Sequence, residues 1–162
     1  MAVENLTDLL KHELGDILFA EKTFLKGMKT MAREMADPMM KNRVLQHAEE
    51  TAGQISNLEE AFESIGFKAR AKKCPGALGL KEEHDEFKKE EEPSKEMLEA
   101  FDLGSGLRVE HYEIAAYRTA IAIAKTIGNQ QCATLLSENL AQELEMAKFL
   151  ETNAAAAMRK LA

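Results

Sequence analysis

The chain has 162 residues, of which 45% are apolar, 6% are aromatic and none is Trp. Ala, Leu, Met, Glu and Lys are abundant and favour helices, so the composition predicts an all-α fold in a single domain over residues 1–162. The net charge of −7 disfavours nucleic acid and anionic membranes as partners, because both attract clusters of Lys and Arg.

The N-terminus and the cysteines indicate a cytoplasmic protein. Residues 1–10 are acidic and amphipathic, unlike a secretory signal, and the longest uncharged apolar stretch, near residues 119–124, is too short to cross a bilayer. Two cysteines without such a signal are expected to be reduced. Cys132 lies in a helical apolar pattern and is expected in the core. Cys74 lies in a loop beside lysines, where a reactive thiol is the less favoured alternative.

Apolar residues spaced three, four or seven apart predict two helices, over about residues 4–35 and 39–65. Asp37 and Pro38 separate them, because the residue before a proline avoids the α conformation and the proline itself can open a helix. Gly66 is a natural stop for the second helix. The glycines and prolines of residues 67–79 then predict a connecting segment.

The second half of the chain predicts a short charged helix and two long ones. The short helix covers residues 80–91 at the surface, and Ser94 can cap a third long helix over residues 95–127. Gly128 ends that helix, and the fourth runs from about residue 129 to the C-terminus. Gly104 and Gly106 inside the third helix each cost up to about 1 kcal/mol relative to Ala, so we expect close helix packing there.

The lengths of the connections predict the topology. Short breaks join the first helix to the second and the third to the fourth, whereas about 28 residues, including the short helix, separate the second from the third. This connectivity is typical of ferritin-like four-helix bundles with one long crossover, because a simple up-and-down bundle does not need such a connection.

Glutamates interrupt the apolar stripes of three helices. At 100° per residue, Glu21 lies on the stripe of the first helix, and Glu143 lies near the centre of the stripe of the fourth. Glu110 and Glu113 straddle the stripe of the third. A buried carboxylate costs several kcal/mol unless it is neutralised, and no Lys or Arg lies near these glutamates on the stripes. Two metal ions would neutralise them, and oxygen-rich sites suit iron or manganese.

The alternative for each glutamate alone is a boundary residue that reaches water. The convergence of three helices argues against it, because Glu21, Glu113 and Glu143 each lie about 15 residues from the nearest helix break. The second helix offers His47, Glu50 and Gln54, but on a flank about 60 to 120° from its apolar line. Periodicity alone therefore places Glu50 at the rim.

Three further residues have weaker signals. His12 and His84 are expected at the surface, because neither lies near another potential metal ligand in the predicted bundle. Tyr117 lies one turn from Glu113. It is either an ordinary packing group, which is the favoured interpretation, or a neighbour of the metal site that tunes it or is oxidised by it.

The chain resembles the YciF-type ferritin-like family, a domain of unknown function in bacterial stress-response proteins, over nearly its whole length. The segments that carry the resemblance are residues 18–22 (LFAEK), 47–51 (HAEET), 54–55, 73–74, 79–80, 109–115 (VEHYEIA), 135–136 and 143. This similarity, and a more distant one to rubrerythrin-like proteins, implies a dinuclear centre. The ligands that it implies are Glu21, Glu50, Glu110, Glu113 and Glu143, with His47 and Gln54 as ligands or supporting partners.

The sequence departs from the broader ferritin-like pattern, which has Glu-x-x-His on the second and fourth helices. Gly53 follows Glu50 at that spacing, and Met146 follows Glu143. We expect a carboxylate-rich protein of the stress response that binds two iron or manganese ions, forms a homodimer, and has O2 or peroxide as candidate reactants. The alternative is a non-enzymatic stress protein, a helical dimer or partner-binding bundle with structural metal or none.

Overall fold

Five α-helices make up most of residues 3–162, the part of the chain that the computed structural model describes. Four are long: α1 (Leu6–Glu34), α2 (Pro38–Ser64), α4 (Lys95–Thr126) and α5 (Gln130–Arg159). The fifth, α3 (Pro75–Glu90), lies in the crossover between α2 and α4. The predicted all-α, ferritin-like architecture with a short helix in its crossover is confirmed. Within the described residues, no helix has the length and apolarity that a membrane span requires.

Polar side chains cap the starts of the four long helices. The side chains of Asn5, Asp37, Ser94 and Asn129 each accept a hydrogen bond from a backbone N–H of the first turn. At the other ends of α2 and α4, Gly66 and Gly128 have positive φ angles of 81° and 76°. Because these signals are local, the predicted bounds of the long helices lie within three residues of the observed ones.

The prediction that α3 begins at residue 80 is wrong by five residues. Pro75 occupies the first turn of α3, where the lack of an N–H carries no penalty, and Cys74 is the capping residue. Cys74 therefore lies at a helix start rather than in an open loop, and its side chain is buried.

Contacts at the two ends of the bundle establish the directions of the helices. Near one end, the backbone N–H groups of Ala36 and Asp37 donate to the carboxylate of Glu99 at 3.2 and 3.3 Å. Near the other, Asn129 donates to the carbonyl of Ser64 at 2.9 Å. The helices α2 and α4 therefore run in the same direction, and the crossover must return the chain along the bundle.

The core consists of two apolar clusters on either side of a polar layer. One cluster contains Leu14, Leu58 and Leu136, and the other contains Leu103 and Leu150. Between them lies what we call the carboxylate layer, which consists of Glu21, His47, Glu110, Glu113 and Glu143, all at most 4% exposed. Cys132 belongs to the first cluster and is fully buried, as predicted.

The glycines of α4 differ in their surroundings. A Cβ atom at Gly106 would lie 3.3 Å from Leu150 Cδ1 on α5, which confirms the prediction of close packing there. A Cβ at Gly104 would meet no atom within 4 Å, so the prediction is wrong at that position. Close approach instead occurs at Gly15 on α1, whose carbonyl accepts a hydrogen bond from the N–H of Lys72 in the crossover.

Candidate metal centre

The carboxylate layer draws its side chains from all four long helices. Glu21 comes from α1, His47 from α2 and Glu143 from α5. Glu110 and Glu113 both come from α4, where residues three apart share one face of the helix. The four glutamates that interrupt the predicted stripes are therefore brought together at the middle of the bundle.

The potential ligand atoms of this layer form two groups that share one residue. The first group is His47, Glu110 and Glu143, and the second is Glu21, Glu113 and Glu143. Within each group, each residue offers one potential ligand atom, and these three atoms lie within 4.8 Å of one another. Because a carboxylate has two oxygens, Glu143 can contribute to both groups at once, and α4 supplies one further carboxylate to each.

Burial raises the pKa of three glutamates of the layer in the absence of metal. Burial raises the pKa of Glu110 to about 8, and burial together with neighbouring carboxylates raises the pKa of Glu21 and of Glu113 well above the ordinary value. Each of these side chains therefore keeps a proton to a higher pH than an exposed glutamate does in the metal-free protein. Such protons must leave when a cation binds.

For Glu143 and His47, hydrogen bonds outweigh the effect of burial on the pKa. Burial raises the pKa of Glu143, but hydrogen bonding with His47 and Glu110 outweighs this effect and lowers it. Burial likewise lowers the pKa of His47, and the hydrogen bonds with Glu110, Glu143 and Glu50 outweigh this and raise it. The His47 Nε2 atom lies 3.4 Å from Glu110 Oε1 and 3.5 Å from Glu143 Oε2. His47 Nε2 thus faces both Glu110 and Glu143, and the opposite pKa shifts of His47 and Glu143 favour an ion pair between these two residues in the metal-free protein.

Several buried oxygens of the layer, and one of Gln54 beside it, have no hydrogen-bond partner within residues 3–162. They are Oε1 of Gln54, Oε2 of Glu110, Oε1 of Glu113 and Oε2 of Glu143, the last of which has only the ion-pair contact with His47 Nε2 at 3.5 Å. Buried polar atoms are nearly always partnered in folded proteins. Four carboxylates and one imidazole also match the oxygen-rich donor set that iron and manganese accept. On both counts, the residues present fit a pair of metal ions.

Glu50 lies outside both groups. Its side chain is 18% exposed, and it accepts hydrogen bonds from Arg43 at 3.1 Å and from Gln46 at 2.9 Å. It also accepts one from His47 Nδ1 at 2.9 Å, which leaves His47 Nε2 to face the layer. Glu50 therefore lies at the rim, as periodicity indicated, and contacts the layer through His47.

Gln54 and Tyr117 support the carboxylates from one side. The Gln54 side-chain amide donates to Glu143 Oε1, and the Tyr117 hydroxyl donates to Glu21 Oε1. Asn139 donates to the Tyr117 hydroxyl at 3.0 Å and to the backbone carbonyl of Gln54 at 3.2 Å. Asn139 thus connects Tyr117 and Gln54, the two residues that donate hydrogen bonds to Glu21 and Glu143.

Sequence reasoning missed this asparagine and its partner. Asn57 donates to Asn139 Oδ1 at 2.8 Å, so the two amides join α2 to α5 directly. A signal for Asn139 was available, since it is a polar residue one turn before Glu143 on the same apolar stripe. The signal for Asn57 is absent from the sequence, because its contact depends on how α2 and α5 pack.

The remaining candidates lie elsewhere. His12 is partly exposed beside Asp16, but His84 is not a plain surface residue, since its Nε2 lies 2.8 Å from the buried carboxylate of Asp102. Cys74 Sγ lies 2.8 Å from the Tyr112 hydroxyl. The buried position of Cys74 disfavours the reactive-thiol alternative, because a reactive thiol needs access from solvent.

Comparisons with known proteins agree with this fold. The family model described as a domain of unknown function (DUF892) matches residues 5–162. Protein YciF of Escherichia coli (strain K12) is 33% identical over 144 residues, which cover 88% of this chain and 86% of YciF.

Two solved structures are similar over nearly their whole length. The E. coli stress protein YciF has a TM-score of 0.90 at 31% identity, with 98% of this chain and 99% of that chain covered. YcfI from Rhodopseudomonas palustris has a TM-score of 0.89 at 34% identity, with 93% and 95% covered. Because a family model matches almost the entire chain and a relative is one-third identical over most of it, the chain belongs to the YciF-type stress-protein family described as DUF892.

Proposed function

We propose that this chain binds two iron or manganese ions in its carboxylate layer and acts as a dinuclear metal protein of the stress response. The observation that carries the proposal is that two groups of three potential ligands share Glu143. A shared carboxylate suits a pair of adjacent cations, because each of its oxygens can face one of them. The unpartnered buried oxygens of Glu110 and Glu113 support the same conclusion.

The ligands divide between the two positions in a simple way. One ion would be held by His47, Glu110 and Glu143, and the other by Glu21 and Glu113 together with Glu143. Iron or manganese in such a site supplies electrons to O2 or peroxide by changing its oxidation state. Four carboxylates would neutralise two divalent cations, so the buried layer would carry no net charge.

The protein's own contribution is to position these ligands and to exclude water. Gln54 and Tyr117 each donate a hydrogen bond to one carboxylate, and Glu50 orients the ring of His47. Hydrogen bonds of this kind behind the ligands fix their orientation and strengthen metal binding. The apolar clusters on both sides of the layer strengthen every electrostatic interaction within it.

A non-enzymatic stress protein is the second candidate, and the raised pKa values of the buried glutamates favour it. Burial raises the pKa of Glu21, Glu110 and Glu113 and so favours their neutral forms, which can pack in the absence of a cation. The bundle would then act as a homodimer or through a partner protein, without turnover. The molar mass in solution tests the homodimer under either candidate.

Metal analysis separates the two candidates. The wild-type protein and the Glu143→Gln variant would be produced in medium supplemented with iron and manganese, and their metal content measured by mass spectrometry. Glu143→Gln keeps the size of the side chain and removes the shared charge. The proposal expects two ions per wild-type chain and loss of both in the variant. Glu145→Gln on the same helix is the matched control, because Glu145 is exposed and should retain both ions.

Reactivity is tested on the loaded protein. Ferrous iron would be added without oxygen, followed by O2 or hydrogen peroxide, while the near-ultraviolet absorption of ferric carboxylate is recorded. A folded Glu143→Gln variant that retains two ions would refute the dinuclear site. Full metal content without any oxidation would favour the non-enzymatic candidate with structural metal.

A further inference from the structure

A cavity of about 290 Å³ leads from the surface to the carboxylate layer. It opens between α1, α3 and α4, and Glu110 and Glu113 lie in its lining. Much of the remaining wall is apolar and includes Met28, Met31, Met35, Met146, Leu103 and Leu150. Glu21, His47 and Glu143 do not line it, so the cavity approaches the layer from the side of α4 alone.

The size and the walls of this cavity indicate a ligand site. Protein interiors are close-packed, and voids much larger than a water molecule are few. An apolar cavity of about 150 Å³ stays dry and binds benzene, and ligand sites in proteins start near 300 Å³. By this scale the cavity has room for an aliphatic chain of roughly ten carbon atoms. Methionine walls are flexible and adapt to chains of different shape.

The charges at the mouth indicate which end of a ligand faces outward. Lys81 pairs with Asp85, Lys88 with Glu34 and His84 with Asp102, so these charges of the lining are neutralised in pairs. Lys26 also lines the mouth, is exposed, and has no ion-pair partner within residues 3–162. A ligand with one anionic end would find a cation at the mouth and apolar walls below it.

We propose that this cavity binds a medium-chain fatty acid, with its carboxylate near Lys26 and its chain extending towards Glu110 and Glu113. The position of the chain next to the metal ions rests on the proposed function. Binding itself does not, because Lys26 and the apolar walls lie outside the carboxylate layer. The cavity would give an aliphatic chain access to a layer that is otherwise closed to bulk water.

Two glycines offer a matched test. Gly27 lines the cavity, and a Cβ there would meet no atom within 4 Å, so Gly27→Leu adds a side chain to the wall at a position where its Cβ meets open space. Gly53 on α2 is also helical, exposed and free of neighbours within 4 Å, but it lies away from the cavity. Both substitutions improve helix propensity similarly, so a difference between them reports on the cavity.

The measurement is calorimetric titration with decanoate, below its micelle concentration, on the protein as purified and after removal of metal by a chelator. We expect saturable one-to-one binding that is at least tenfold weaker in Gly27→Leu and unchanged in Gly53→Leu. Lys26→Gln should weaken the binding of decanoate and leave that of 1-decanol unchanged. Butyrate, which is too short to fill the cavity, should bind at least tenfold more weakly than decanoate.

The outcomes separate this proposal from the metal proposal. Absence of saturable decanoate binding, or equal affinity in Gly27→Leu and the wild type, would overturn the fatty-acid site. An equal effect of Lys26→Gln on decanoate and decanol would overturn the placement of the carboxylate. Decanoate binding by the chelator-treated protein would support the site even if metal analysis refutes the dinuclear centre.

Discussion

His47 Nδ1 donates a hydrogen bond to Glu50 Oε2 at 2.9 Å, and this contact determines which nitrogen of the ring faces the carboxylate layer. The two residues are three apart on α2, so they share a helix face while only His47 reaches the centre of the bundle. Arg43 holds Glu50 from the other side at 3.1 Å. Arg43, Glu50 and His47 thus form a row of contacts that runs from the rim of α2 to the carboxylate layer.

Glu50→Gln should weaken metal binding without abolishing it. Loss of the carboxylate behind a ligating histidine typically lowers metal affinity by about 10- to 100-fold. The measurement is a competition titration of the metal-loaded protein against a chelator of known affinity. Glu49→Gln is the control, because the adjacent Glu49 is exposed and should leave the affinity unchanged. Complete loss of both ions in Glu50→Gln would instead identify Glu50 as a direct ligand.

Tyr117→Phe should destabilise the metal-free protein by about 1 to 3 kcal/mol, because it leaves buried hydrogen-bonding groups without a partner. The Tyr117 hydroxyl donates to Glu21 and accepts from Asn139, and its side chain is fully buried. The free energy of unfolding in urea, measured with a chelator present, checks this. A loss below about 0.5 kcal/mol, as at an ordinary surface site, would show that the network contributes little.

The two glycines of α4 should respond differently to alanine. Gly104→Ala should raise the free energy of unfolding by up to about 1 kcal/mol, since its Cβ would meet open space and Ala favours the helix. Gly106→Ala should gain less or lose stability, because Leu150 would have to move from a contact of 3.3 Å. Urea unfolding of both variants tests the difference. Equal gains at the two positions would contradict the close packing of α4 on α5.

Local signals account for what could be predicted from the sequence. Caps such as Asn129 and stops such as Gly128 act within one turn, so the ends of the helices were predictable. The inward stripes of α1, α4 and α5 were predictable for the same reason, because neighbouring turns define them. The start of α3 was not, because the residue after Cys74 is a proline that suits a loop and a first helical turn equally well.

Periodicity alone could not predict that His47 and Gln54 of α2 point to the centre of the bundle. The polar residues of α2 lie on a flank of the apolar stripe, and a helical wheel does not determine which of them reaches the centre. Packing of α2 against α1 and α5 turns His47 and Gln54 inward and leaves Glu50 at the rim. The contact between Asn57 and Asn139 depends on the same packing, and no local pattern reports it.

The stability of the metal-free protein should fall as the pH rises. The raised pKa of Glu110, about 8, means that its contribution to stability is fully present below about pH 4.3, the ordinary pKa of a glutamate, and is lost as the pH rises through 8. The raised pKa values of Glu21, Glu113 and His47 act in the same direction. The lowered pKa of Glu143 contributes stability that is lost only as the pH falls into the acid range.

Metal should reverse this trend, because cations bind the deprotonated carboxylates, so the stabilisation that bound metal provides grows as the pH rises. Urea midpoints between pH 5 and 8.5, measured with chelator and with added manganese, test both slopes. The two curves should diverge as the pH rises, and Glu110→Gln should flatten the metal-free curve, since the amide does not titrate. A metal-free midpoint that rises from pH 5 to 8.5 would mean that the carboxylates of the layer are already ionised, and that the neighbouring His47 suffices to hold them so.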